Sequence, residues 1–328
     1  RKLLYPGECG YAMETGGIMA EIRTLTVEKI RAYHAEYYRP DNMCIIITGK
    51  VGSEDLLRSL EEMEEKIQGK GHPRDKPRPW HCVPVPQLLQ SSDVSVEFPS
   101  DEEETGCVML AWRICEWSCF DEIMRLNILH AYLTESEVSL LHQEFVEGSE
   151  DGESVCSSVA FGACENKEGF HWCCFDAVGV EHIPHVKEQF FKVMNQLCLE
   201  GVDMARMASV IKRYHVKLLN ALEDSPHETI PYYCIYSFLF AENFAQDTKS
   251  KLKSVASSNE LLSLTADDWV ELVRKYILSP PSVCVRAVPS TKRGEELAAK
   301  ERRRVQERKE ELGEEKLQQL QKKLEDAI

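Results

Sequence analysis

Two stretches 239 residues apart carry the same local plan. Residues 25–49 read LTVEKIRAYHAEYYRPDNMCIIITG. Thr26 is a residue type that caps helix N-termini, and Glu28 follows in the first turn, where the helix dipole favours an anion. Val27, Ile30, His34 and Tyr37 recur on one helical stripe. Pro40 stops the helix, and MCIIITG is an apolar run of strand length that is expected to be buried. Residues 264–288 read LTADDWVELVRKYILSPPSVCVRAV and follow the same order. Thr265 and Asp268 have capping-box spacing. Ala266, Trp269, Val273 and Tyr276 form the stripe, Pro280 and Pro281 stop the helix, and SVCVRAV is the strand. The offset lays every stripe residue on its counterpart. That pattern predicts an internal duplication in which each copy closes as helix, turn, strand. The first copy has only 24 residues before its helix, so it is expected to be truncated at its N-terminal side. His34 falls opposite Val273, which makes it a semi-buried core histidine bonded to a backbone carbonyl rather than a metal ligand.

The segments between the copies set the rest of the architecture. Residues 53–67 are an acidic amphipathic helix, and 69–89 hold Pro73, Pro77, Pro79, Pro84 and Pro86, the composition of an extended linker. SDVSVEF (92–98) and GCVMLAWRI (106–114) read as strands on either side of an exposed acidic turn. Residues 121–133 are helical. ESVCSSVAFGA and GFHWCCFDAVGV read as a strand pair joined near Asn166. Helices then run from Ile183 to about Ser263, one of them ended by Gly201. Strands, then helices, then a last strand predict an α+β fold of duplicated α/β units, each with a mostly antiparallel sheet covered by helices on one face. A C-terminal helical linker follows. The expected boundaries are 1–52 for the end of the truncated first unit, 53–90 for a helix and Pro-rich linker, 91–290 for a complete second unit, and 291–328 for a charged helical hinge. That last segment is rich in i,i+4 charge pairs, is interrupted at Gly313, and is expected to lay one face on a neighbour.

Charge and composition exclude several functions. The net charge is −16, and since residues 292–328 contribute +1 the acid lies in the body. Such a surface repels nucleic-acid phosphate and attracts basic peptides. No apolar run approaches the ~18 residues of a membrane span, and RKLLYPGECG is too short and too broken to be a signal sequence. The thirteen cysteines include no Cys-x-x-Cys, and several, such as Cys44, Cys107, Cys173 and Cys174, sit in apolar runs. This usage predicts reduced, buried thiols in a cytoplasmic or mitochondrial protein that is not secreted.

No catalytic or metal-binding set emerges from the ten histidines. A zinc peptidase needs His-Glu-x-x-His or its reverse, His-x-x-Glu-His, on one helix. HETIP (227–231) fails at Pro231, and His182 and His185 straddle Pro184 with no third donor in view. Strand alternation turns His171 and Cys173 one way and Cys174 the other. Cys115 and Cys119 are close in sequence, but a pair alone makes no site. The expected catalytic, cofactor and metal residues of this chain are therefore none.

The order of motifs adds a resemblance. LTVEKIRAYHAEYYRPDN, FPSDEEETGCVMLAW, EGVDMARMASVIKR and PSTKRGEELAAKERRRVQERKEELGEEKLQQL resemble, in order and across essentially the whole chain, the insulinase/pitrilysin metallopeptidases, in their presequence-protease-related branch. The resemblance implies four homologous α/β units whose halves close around a peptide, with zinc on the reversed motif of the first unit. No residue here matches that motif, so it is expected upstream of Arg1. This chain would supply chamber wall and hinge and bind no zinc itself. Its implied partners are a peptide substrate and the remaining α/β units of the same protein, with no nucleic acid and no membrane. The alternative is a non-catalytic paralogue that acts as a structural or assembly subunit.

Overall fold

The computed structural model describes residues 1–67, 79–148 and 153–326. Five strands, β1 (Ser92–Pro99), β2 (Thr105–Glu116), β3 (Ser158–Cys164), β4 (Glu168–Gly179) and β5 (Val283–Ser290), form one sheet in the order β1-β5-β2-β4-β3. The β1–β5 pairing is parallel, while β5–β2, β2–β4 and β4–β3 are antiparallel. The helices of eight residues or more among the described residues are α1 (Val27–Tyr37), α2 (Ser53–Ile67), α3 (Phe120–Thr134), α4 (Val186–Glu200), α5 (Met204–Asp224), α6 (Pro226–Phe240), α7 (Phe244–Ala256), α8 (Ala266–Val273) and α9 (Thr291–Glu325). The fold is α+β.

The sheet divides the molecule by alternation. Along β2, Val108, Leu110 and Trp112 point toward the helices and are fully buried; along β4, His171, Cys173 and Phe175 do the same. Onto this face pack Leu126, Leu129 and Leu133 of α3, Phe190 and Met194 of α4, Met207 and Ile211 of α5, and Trp269 and Val273 of α8. Each fully buried large side chain contributes about 1.5–3 kcal/mol. Gly162 on β3 lies against the Trp172 indole on β4, and a Cβ there would overlap the ring.

The opposite face is not bare, which the sequence reading missed. Leu4, Tyr5, Cys9 and Ala12 lie over Ala111, Phe170 and Val283, with Val85 and Leu88 beside them. Tyr5 is fully buried, donates its hydroxyl to the Glu168 carbonyl at 2.6 Å, and packs its ring under the Arg113 guanidinium, which in turn pairs with Glu168. The opening RKLLY thus serves as sheet cover. Part of the Pro-rich linker is also docked: Trp80 donates its indole N–H to the Leu239 carbonyl at 2.7 Å and packs on Phe240. Pro73 and Pro77 of that linker lie outside the described residues.

Local signals account for the element ends. Asp203 caps α5 by accepting from the Ala205 and Arg206 amides, and Gly201 at φ 86° closes α4. Thr265 and Asp268 make the reciprocal capping box at the start of α8. α9 starts with Ser290 accepting from Arg293 and with Glu103 accepting from the Thr291 amide and hydroxyl. Its helical geometry breaks at Gly313, φ 68° and ψ 163°.

The first copy of the repeated pattern departs from expectation. Thr26 caps α1 by accepting from Lys29, but Val27, Ile30 and Tyr37 are exposed, whereas Trp269, Val273 and Tyr276 of the second copy are buried. MCIIITG forms no strand, and Met43, Ile45 and Ile47 are about half exposed. The physical reason is the lack of a neighbour: no described strand pairs with it, and an unpaired strand gains neither ladder bonds nor side-chain burial. Cys44, placed inside by its apolar context, is exposed for the same reason. His34 is exposed too, its ring stacked on Tyr38 at 4.6 Å instead of bonded in a core.

The Gly162–Trp172 contact yields the first prediction. Gly162→Ala should lower stability by about 1–3 kcal/mol, because the new Cβ overlaps the Trp172 ring, which must shift from its place against Phe170. Urea unfolding with near-UV circular dichroism measures this; an unchanged midpoint would refute the close fit.

Candidate functional site

Three clusters bring chemistry-bearing side chains together. The deepest is His130 on α3 and His171 on β4, both buried, with His130 Nε2 and His171 Nδ1 2.8 Å apart. His171 Nε2 lies 3.1 Å from the Tyr276 carbonyl oxygen. A carbonyl only accepts, so Nε2 of His171 carries the proton and donates to it. His171 Nδ1 is then bare and accepts from His130 Nε2–H. Phe161 stacks flat on His130 at 4.5 Å, and Trp112 packs against His171. Burial drives both imidazoles toward the neutral form. His171 falls to about 4, partly offset by its carbonyl bond, and His130 falls well below the ordinary histidine value through burial first and His171 second. This is a structural dyad. The nitrogens that face each other are committed to hydrogen bonds, and among the described residues no carboxylate bonds to either ring.

The second cluster is the turn before α4. His182 Nε2 approaches the Glu181 carboxylate at 3.5 Å, and His185 is the helix N-cap with its amide bonded to the His182 carbonyl at 2.8 Å. Two histidines on one tight turn with a single neighbouring carboxylate do not make a tetrahedral zinc site. His227 is exposed near the start of α6, and Pro231 lies inside that helix.

The third cluster is the one sequence spacing did not resolve. Cys115 ends β2, Cys119 is the N-cap of α3, and Glu122 is in its first turn. Their donor atoms lie within 4.8 Å of one another, and this is the only metal-compatible group of three among the described residues. Lys275 places its ammonium 2.5 Å from Glu122 Oε1. Burial pushes the Cys115 thiol up to about 12, with hydrogen bonding from Tyr276 opposing the rise. Sequence spacing paired Cys115 with Cys119; the third donor, Glu122, follows Cys119 by the helical i+3 step, which becomes a signal only once a helix is known to start there. Elsewhere, His171 and Cys173 face the helices while Cys174 faces the other side, 3.4 Å from Cys107 Sγ. All thirteen cysteines are free of disulfides.

A peptidase zinc of the reversed-motif type needs two histidines one helical turn apart, a glutamate between them and a distal carboxylate. The donors present do not fit it. The dyad is committed to internal bonds, the His182 turn lacks the geometry, and the cysteine cluster is of another donor type with an ammonium already on its carboxylate.

The helix-covered five-stranded sheet is an α+β domain whose described residues hold no reversed-motif zinc site. The peptidase M16 inactive-domain model matches residues 24–214, and the chain belongs to the peptidase M16 family through that domain. An uncharacterized protein of Schizosaccharomyces pombe is 29% identical over 328 residues, which is 98% of this chain and 31% of that protein. The mitochondrial presequence protease of Xenopus laevis is 20% identical over 208 residues, 63% of this chain and 20% of that protein. The crystal structure of a peptidase M16 inactive domain from Pseudomonas fluorescens superposes with a TM-score of 0.65 at 19% identity, covering 88% of this chain and 64% of that one. The chain spans about a third of the length of the curated relatives it matches most fully. The insulinase/pitrilysin resemblance is thereby established at the level of the family, and presequence proteases are among the relatives that the chain matches. No helix among the described residues is long and apolar enough to cross a membrane.

The dyad sets an acid limit on stability. Both histidines are neutral when folded and free to protonate when unfolded, so the unfolded chain binds more protons below the ordinary histidine value. Their contribution is complete above about pH 6.5 and is lost as pH falls toward 4; for His171 alone the loss is on the order of 3 kcal/mol. Urea midpoints should therefore drop between pH 7 and pH 5, before the bulk of carboxylates titrate. Equal midpoints at the two pH values would contradict the buried neutral pair.

Proposed function

We propose that this chain is the non-catalytic part, chamber wall and hinge, of a zinc metalloendopeptidase that degrades or processes peptides. Residues 1–52 would end a first α/β unit, 53–90 would link it onward, 91–290 would be the complete second unit, and 291–328 the hinge. The chain would carry no catalytic or zinc residue of its own. Zinc-activated water chemistry would belong to a His-x-x-Glu-His segment elsewhere in the same protein. The compartment would be the mitochondrion or the cytoplasm.

One observation carries this reading. The helix–proline–strand pattern is buried and paired where it closes the second unit, at 265–290, and exposed and unpaired where it recurs at 26–49. Ile18, Ile22, Leu25, Val27, Ile30, Met43, Ile45 and Ile47 together present an apolar surface of the kind monomeric proteins seldom leave open. The rest of a first α/β unit would supply sheet neighbours for MCIIITG and cover for α1. The acidic body supports basic peptides as the substrate class.

The test compares this chain with a longer polypeptide that includes the residues encoded upstream of Arg1. In the longer form, amides 43–47 should become protected from hydrogen exchange, and a basic peptide should be cleaved in a reaction abolished by a chelator. The shorter chain should show neither. Protection without cleavage, with a degenerate zinc motif upstream, would replace this reading with that of a non-catalytic paralogue. Cleavage by the shorter chain alone, or no protection in the longer one, would remove both.

A further inference from the structure

Cys115 and Cys119 flank a tight turn. The Cys119 amide donates to the Glu116 carbonyl at 2.9 Å, and the Trp117 amide donates to the Lys167 carbonyl at 3.1 Å, so the turn is fixed both within itself and to the connection that leads into β4. The two sulphurs lie within 4.8 Å of each other. As N-cap of α3, Cys119 makes no side-chain capping bond. It is half-buried and lines a cavity of about 700 Å³ together with Ser118, Asp247, Ser250 and Lys253. Cys115 is half-buried but lies outside that cavity's lining, beneath Tyr276. One thiol is thus presented to a small molecule, with a second directly behind it.

The third donor, Glu122, argues against a metal. Its carboxylate already takes the Lys275 ammonium and a hydrogen bond from Tyr276, and these hold it in the ionised form. A cation would have to displace Lys275 and deprotonate a half-buried thiol. Two facing sulphurs whose nearby carboxylate is already neutralised are better placed for thiol–disulfide exchange.

We propose that Cys115 and Cys119 are a reversible redox pair, converted to an intramolecular disulfide by exchange with a low-molecular-weight disulfide that enters the cavity. Cys119 Sγ, as thiolate, attacks one sulphur of the small disulfide. That S–S bond breaks, one small thiolate leaves, and a mixed disulfide forms on Cys119. Cys115 Sγ then attacks Cys119 Sγ and expels the second small thiolate. The two protons lost by the cysteines end on the two released thiols, so two protein thiols are oxidised and one small disulfide is reduced. The division of roles follows from position: the accessible sulphur attacks first, and the covered one resolves. Because the closed loop is very short, the cross-link constrains little of the unfolded chain and adds little stability. The bond should therefore be readily reversed by a small thiol.

The sequence makes the test direct. Trypsin cutting after Arg113 and Arg125 releases ICEWSCFDEIMR, which contains both cysteines and no other. The folded chain is treated with glutathione disulfide, capped with iodoacetamide, denatured, digested and weighed. The expected product is that peptide uncapped and lighter by two hydrogen atoms, returning to the doubly cappable form after dithiothreitol. In Cys115→Ser, the glutathione adduct on Cys119 should become the main product instead of a transient. In Cys119→Ser, Cys115 should stay reduced. Two capped cysteines in this peptide after treatment, while other cysteines of the chain are oxidised, would overturn the proposal. So would one zinc per chain that shields both thiols from capping, since the cluster would then be a metal site. The wild-type mapping decides the matter even if a variant fails to fold.

Discussion

A chain of two hydrogen bonds, His130 to His171 to the Tyr276 carbonyl, ties three parts of the second unit together. His130 belongs to the helix that follows β2, His171 to the strand beside β2, and Tyr276 to the turn that leads α8 into β5. The Tyr276 carbonyl fixes the tautomer of His171, and that in turn makes His130 Nε2 the donor, so the three elements have one mutual arrangement in which both bonds are made. Around the pair, Trp112, Phe161 and Phe190 fill the remaining space with rings. Apolar packing of that kind tolerates small slides; the directional bonds do not. The sheet order, with β5 inserted between β1 and β2, depends on α8 arriving at this point, because Tyr276 sits only a few residues before the strand begins.

Much of this was readable from local pattern. The strands at 92–99 and 105–116, the pair joined at 165–167, the Gly201 stop and the Thr265 capping box all show in the sequence, because each is encoded within a few residues. The misreadings share one cause. MCIIITG and α1 have the composition of buried elements, yet burial depends on a neighbour that local pattern cannot report. His34 followed them to the surface. Tyr5 and Trp80 erred the other way: a leading RKLLY and a proline-rich stretch look like tails, and only the folded sheet provides the Glu168 and Leu239 carbonyls that hold them.

The chemistry was legible in the same uneven way. Failure to find a reversed zinc motif was a statement about spacing along the chain, and spacing is decisive for a motif carried on one helix. The dyad and the cysteine cluster are assembled across strands and turns, with partners 41 residues apart for the histidines. Both were seen in part: His171 as a buried strand residue, Cys115 and Cys119 as a pair. What was missing was His130 for the dyad and Glu122 for the cysteines, and such a partner decides whether a group is structural, metal-binding or redox-active.

The break at Gly313 bears on how α9 can behave mechanically. An unbroken helix of 35 residues would be a strut of about 50 Å, stiff in bending and in torsion. At Gly313 the backbone leaves helical geometry and its hydrogen-bond ladder is interrupted, so twist applied to one side does not pass to the other. The segment before the break is anchored to the sheet edge by Glu103 and Thr291 and to residue 23 by the Arg23–Glu301 ion pair. The segment after it carries Leu317, Leu320 and Leu324 on one side. The helix therefore acts as two rods joined by a universal joint: the first reports the position of the sheet, and the second is free to take its direction from whatever its leucines touch.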